Sequence, residues 1–109
     1  MIVNVCPAAV TKAPAERLWR LIEATDRLGD WTDAAVVRVE PPGPAQKGQV
    51  IWMGGRALGR QWRFSIDVRE VDPQHRWIDL VVHLPFGIEN YEHLTLTETK
   101  EGGTLIRFN

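Results

Sequence analysis

The sequence predicts an α+β fold, an antiparallel sheet of six to seven strands preceded by short helices, on three observations. From Ala35 onward, short segments of alternating apolar and polar residues follow one another, the period-two signature of half-buried strands. Compact turn signals separate them: Pro41-Pro42-Gly43-Pro44, Gly54-Gly55, Asp72-Pro73, Pro85-Phe86-Gly87 and Gly102-Gly103. No helical crossover fits between any of these neighbours, so they must pair antiparallel.

The elements follow in order. Ile2 to about Lys12 reads as a first strand, and Pro7 places it at an edge or a bulge because proline cannot donate to a ladder. Ala13-Pro14-Ala15-Glu16 then opens a helix to Glu23, with proline in its first turn and an acid suited to the helix dipole. Leu18, Trp19, Leu21 and Ile22 form its apolar stripe, while Arg17, Arg20 and Glu23 point elsewhere. A short second helix or turn over Thr25 to Leu28 is broken by Gly29, and Trp31 packs that turn onto the sheet. Strands are predicted at Ala35–Glu40, Gln49–Met53, Gln61–Val71, Arg76–Leu84, Tyr91–Thr99 and Thr104–Phe108.

Composition bounds the function. A chain of 109 residues reads as one domain, residues 1–109, with 44% apolar and 25% charged residues. A net charge of -1 gives no general reason to bind nucleic acid or an anionic membrane. Arg56, Arg60, Arg63 and Arg69 alternate with apolar residues and read as a solvated strand face. One cysteine, Cys6, excludes an intrachain disulfide framework and a cysteine-rich zinc site. With no signal peptide and no apolar run of membrane length, the expectation is a cytoplasmic protein without membrane insertion. GxSxG, HExxH and a glycine-rich phosphate loop are absent from the sequence, and neither cofactor nor catalytic residue is assigned.

Strand parity locates the candidate site. Trp62, Phe64, Ile66 and Val68 alternate with Arg63, Ser65, Asp67 and Arg69, and the next strand continues with Ile78, Leu80, Val82 and Leu84. Turning the chain about its hairpins sets Val68 near Ile78, Ile66 near Leu80, Phe64 near Val82, Val82 near Leu94, Leu80 near Leu96 and Trp52 near Trp62. One apolar face thus crosses four strands. Glu92 interrupts it, predicted beside Leu84, in water at the strand entrance, as a polar anchor or general acid/base in a pocket, or in an ion pair with an arginine. His83 and His93 lie on the opposite face as prospective cross-strand neighbours, but a third metal ligand is missing and the face is solvated. No metal site is assigned.

The strand followed by Ala13-Pro14-Ala15-Glu16-Arg17-Leu18-Trp19, then Leu28 and Trp31, resembles the opening of the SRPBCC superfamily. That group includes START-related domains and the polyketide cyclase/dehydrase and lipid transport family. Glu70-Val71-Asp72-Pro73, Leu84-Pro85-Phe86-Gly87, and His93-Leu94-Thr95-Leu96 leading to Gly102-Gly103-Thr104 match further. The resemblance implies a helix-grip fold, a curved antiparallel sheet around a long C-terminal helix, with an apolar cavity between them. The sequence ends just after its last predicted strand, so that helix is expected to be absent.

The leading functional expectation is binding of a small hydrophobic molecule, a lipid, polyketide or similar. Trp31, Trp52, Trp62, Phe64, Leu80, Val82, Leu84, Glu92, Leu94 and Leu96 are the candidate ligand-binding residues. Several of them must also be plain core. Two alternatives stay open: a cyclase or dehydratase using Glu92 or a tyrosine, and an interaction module, such as a homodimer, pairing through the open face.

Overall fold

The computed structural model describes residues 2–3, 8–30, 32 and 34–108. Its elements are β1 (Ile2–Val3), β2 (Ala8–Thr11), α1 (Ala15–Glu23), a 3₁₀ segment (Thr25–Asp30), β3 (Ala35–Glu40), β4 (Val50–Ala57), β5 (Arg60–Asp72), β6 (Trp77–Leu84), a 3₁₀ turn (Pro85–Gly87), β7 (Ile88–Glu98) and β8 (Thr104–Phe108). Seven strands form a curved sheet in the order β2-β8-β7-β6-β5-β4-β3, antiparallel throughout, and β1 adds parallel to β7. The predicted α+β class is observed. Pro7 and Trp31 lie outside the described residues, so the edge or bulge at Pro7 and the anchoring role of Trp31 do too.

The three hairpins with a predicted register, β4–β5, β5–β6 and β6–β7, all depart from it. Between β4 and β5 the turn is Leu58-Gly59, both with positive φ (53° and 73°), as a tight two-residue hairpin turn requires. Gly54-Gly55, expected as that turn, instead lies inside β4. The shift is an odd number of residues, so it exchanges the faces of β4. Gly55 sits opposite Trp62 and Met53 opposite Phe64, while Trp52 pairs with Ser65 on the other face.

Between β5 and β6 the extra residue is Arg69, where the register jumps between Val68 and Glu70. The turn closes with Asp72 opposite Trp77, three residues along from the predicted register, and the extra residue takes one back, so Val68 faces Leu80 and Ile66 faces Val82, two residues along with parity kept. Between β6 and β7 Phe86 takes a left-handed conformation (φ 67°), so β7 begins at Ile88 rather than Tyr91. The turn is tighter than predicted. Leu80 then faces Glu92, Val82 faces Asn90, and Ile78 faces Leu94.

The helices cover one end of the concave face. Trp19 of α1 and Leu28 of the 3₁₀ segment are buried against Ile51, Met53, Val68, Ile78 and Leu96. Leu18 and Ile22 pack beside them, so most of the predicted stripe faces the sheet. Arg76 links α1 to β7, reaching Glu16 at 3.1 Å and Glu98 at 3.5 Å. Fully buried Gln49 ties down the 41–44 loop: its Nε2 donates to the carbonyls of Pro41 (3.0 Å) and Gly43 (3.1 Å). The same loop receives Thr25 Oγ1 on the Gly43 carbonyl at 2.6 Å, and Ala45 N donates to the Glu23 carbonyl at 2.9 Å. At the other edge, a Cβ on Gly103 would lie 2.2 Å from the Thr11 carbonyl oxygen, so only glycine lets β2 and β8 approach this closely. Among the described residues no helix is long and apolar enough to cross a membrane.

Candidate functional site

Because α1 and the 3₁₀ segment cover only the end of the sheet near Val68 and Ile78, the concave face stays hollow toward the β4–β5 and β6–β7 hairpins. The hollow has two parts. The inner part, about 240 Å³, lies under Ile22, Leu28 and Thr32 and is floored by Ile66, Leu80, Val82 and Leu94. Glu92 and Phe108 complete its β7–β8 side. The outer part, about 770 Å³, is open to solvent and lined by Trp62, Phe64, Leu84, Ile88 and the two hairpin tips. Thr32 borders both.

The rim of the mouth is apolar. Leu58 is 94% exposed and Phe86 84%, each at the tip of its hairpin and each lining the outer cavity. Phe86 meets Trp62 edge-on, with ring centroids 5.7 Å apart, and the Arg60 guanidinium lies 5.0 Å from the Trp62 ring centre. These contacts hold the indole at the entrance.

Of the predicted site residues, Trp62, Phe64 and Leu84 line the outer cavity, and Leu80, Val82, Glu92 and Leu94 line the inner one. Two are placed elsewhere, and Trp31, the tenth, lies outside the described residues. Trp52 lies on the convex face, where Arg38 covers its ring at 5.1 Å, a consequence of the exchanged faces of β4. Leu96 is in the packed core near Trp19, because the helix covers that end of the sheet. Ile51 and Met53 take the place that parity had given to Trp52.

Asn90 was missed altogether. It stands two residues before Glu92 on the same face of β7, so parity would have found it had the strand been started at Ile88. Its Nδ2 donates to Glu92 Oε1 at 2.8 Å. Glu92 is thus partly buried inside the apolar hollow rather than beside Leu84 at the strand entrance.

The convex face carries a separate polar array. His83 and His93 are not neighbours: His83 faces Glu89 and His93 faces Asp79 in the ladder. His83 Nε2 hydrogen-bonds with Asp67 at 2.8 Å, and His93 Nδ1 with Asp79. Among the described residues no three His, Cys, Asp or Glu side chains are grouped to hold a metal ion. Tyr91 donates to Glu89 Oε2 at 2.8 Å on this outer face, away from the hollow. That bond and the Glu89 charge raise the Tyr91 pKa above its ordinary value.

The curved antiparallel sheet with its few short helices matches the helix-grip fold of the SRPBCC superfamily. Within it, the chain belongs to the polyketide cyclase/dehydrase and lipid transport family, whose sequence model matches residues 8–109. Solved structures share the fold at low identity. Ara h 8.0201 has a TM-score of 0.75 at 15% identity, over 95% of this chain and 72% of that one. Protein Ms6760 from Mycobacterium smegmatis has a TM-score of 0.72 at 18% identity, over 94% and 68%. ChR145 from Cytophaga hutchinsonii has a TM-score of 0.67 at 15% identity, over 95% and 73%. No curated protein matches the chain.

Proposed function

We propose that this protein binds a small apolar molecule, a lipid, polyketide or similar, in the hollow on the concave face of its sheet. The observation that carries this reading is the hollow itself: an inner chamber of about 240 Å³ continuous in its lining with an outer one of about 770 Å³, walled almost wholly by carbon. Ligand pockets are commonly about 300–1,000 Å³ and apolar, with few convergent polar groups. A plain core would have closed this space, since interiors pack to crystal-like density. Family membership supports the same class of ligand. Trp62, Phe64 and Leu84 would contact the ligand at the entrance, and Leu80, Val82, Leu94 and Glu92 would receive its inner end.

Native mass spectrometry of the freshly purified protein tests the proposal, because it reports a retained ligand and the oligomeric state together. Displacement of an apolar dye gives the second arm. Trp62→Ala should weaken dye binding several-fold without unfolding the chain. A monomer that takes up neither dye nor lipid would overturn the reading. A ligand-free dimer in which Trp62→Ala reduces self-association would instead make the open face an interface.

A further inference from the structure

The hydrogen-bonding character of the inner cavity is one-sided. Its polar lining residues are Thr25, Thr32 and Glu92. Each hydroxyl has one proton, and both are already directed at backbone carbonyls: Thr25 at Gly43 (2.6 Å) and Thr32 at Leu28 (2.7 Å). Glu92 Oε1 accepts from Asn90 Nδ2 at 2.8 Å. A carboxylate can only accept, so the amide of Asn90 must present nitrogen, not oxygen, to Glu92. That orientation leaves Asn90 Oδ1 buried without a partner. Among the described residues Glu92 makes no ion pair, and no lysine, arginine or histidine lines the inner cavity. Asn90 itself is not among the residues lining the cavity, so the polar groups that do line it, Thr25, Thr32 and Glu92, offer acceptors and no free donor.

We propose that the Asn90–Glu92 pair makes the cavity selective for apolar molecules that carry a hydroxyl at their buried end, with Glu92 accepting its proton in a hydrogen bond. This rests on the ligand-binding reading above and deepens it. Glu92 is the contact, and Asn90 is a positioning residue that fixes which carboxylate oxygen faces the chamber. A ligand ending in an ether or carbonyl oxygen would bring a second acceptor against the first, leaving both desolvated and unpaired. A hydroxyl completes the set. Sites built to hydrogen-bond a hydroxyl reject analogues lacking it far more strongly than apolar pockets reject a missing methylene.

The test uses two isomers of equal size, dodecanol and methyl undecyl ether, competing with a bound apolar dye. The unmodified protein should bind the alcohol about tenfold more tightly, the value of one hydrogen bond to a charged acceptor. Glu92→Leu should remove that preference, while Glu92→Gln, which keeps an acceptor, should retain part of it. Asn90→Leu should narrow the preference by weakening alcohol binding while leaving the ether's affinity unchanged. An unmodified protein that binds the ether as tightly as the alcohol overturns the proposal and leaves apolar binding intact. So does a preference that survives Glu92→Leu. A bound dye that neither isomer displaces overturns this inference alone, whereas a protein that takes up neither dye nor isomer overturns the ligand-binding reading and this inference with it. The first comparison needs no variant, so a poorly folding substitution does not blunt it.

Discussion

Tyr91 shows how far a single exposed side chain can be read. It is the chain's one tyrosine, so phenolate absorbance during an alkaline titration reports it alone. Its hydroxyl donates to Glu89, and the neighbouring carboxylate disfavours a second negative charge. The folded pKa is therefore raised above 10.0, so the bond's stabilisation is present below that pH and is lost as pH rises through the folded pKa. Titration should show Tyr91 ionising above the range of the unfolded chain, and Glu89→Gln should bring it back toward that range. Tyrosine was the sequence's other candidate proton carrier, and Tyr91 lies on the outer face, away from the hollow. Glu92 was legible as the odd residue in an apolar face. Asn90 was not, because the strand was started at Tyr91, three residues past the point where the Pro85-Phe86-Gly87 turn releases the chain.

At the scale of elements, alternation was more informative than punctuation. Parity placed Phe64, Ile66, Val68, Ile78, Leu80 and Val82 on one face correctly, because one slip would move every one of them into water. The turns were harder. Positive φ falls on Leu58 and Phe86, residues that bear a steric cost there, while Gly54-Gly55 extends a strand. A reading from turn propensities therefore turned the chain too early at Gly54-Gly55 and too late after Phe86, and sent Trp52 to the wrong face. Gln49 was equally hidden, since nothing local marks a glutamine that will be sealed beneath a proline-rich loop. Its amide holds the loop that in turn receives Thr25 and the end of α1. Gln49→Leu should lower unfolding stability by about 1–3 kcal/mol, the cost of leaving buried carbonyls without a donor. A fall in the denaturant midpoint with an unchanged slope is the measurement, and an unchanged midpoint would remove this loop's anchoring role.

For the whole molecule, one end of the sheet is packed beneath the helices and the other is left hollow. Trp19, Leu28, Val68, Ile78 and Leu96 form the closed part, and the chambers beside them hold space that folding leaves unfilled. A ligand that enters only the folded state should raise stability by about 2.7 kcal/mol at a hundred times its dissociation constant. Melting temperature followed against dodecanol concentration checks this, and a flat response would oppose binding to the native state. The extra residue in β5 carries a last consequence. Removing Arg69 would leave Val68 opposite Leu80 and Val71 opposite Ile78, with every inward and outward assignment unchanged. What it would take away is the local kink and added twist that a bulge supplies. The twist of the sheet is thus open to adjustment by a one-codon deletion that leaves every core residue on its face. Length variation at this point is a route by which chains of one fold could come to differ in curvature without repatterning a single strand.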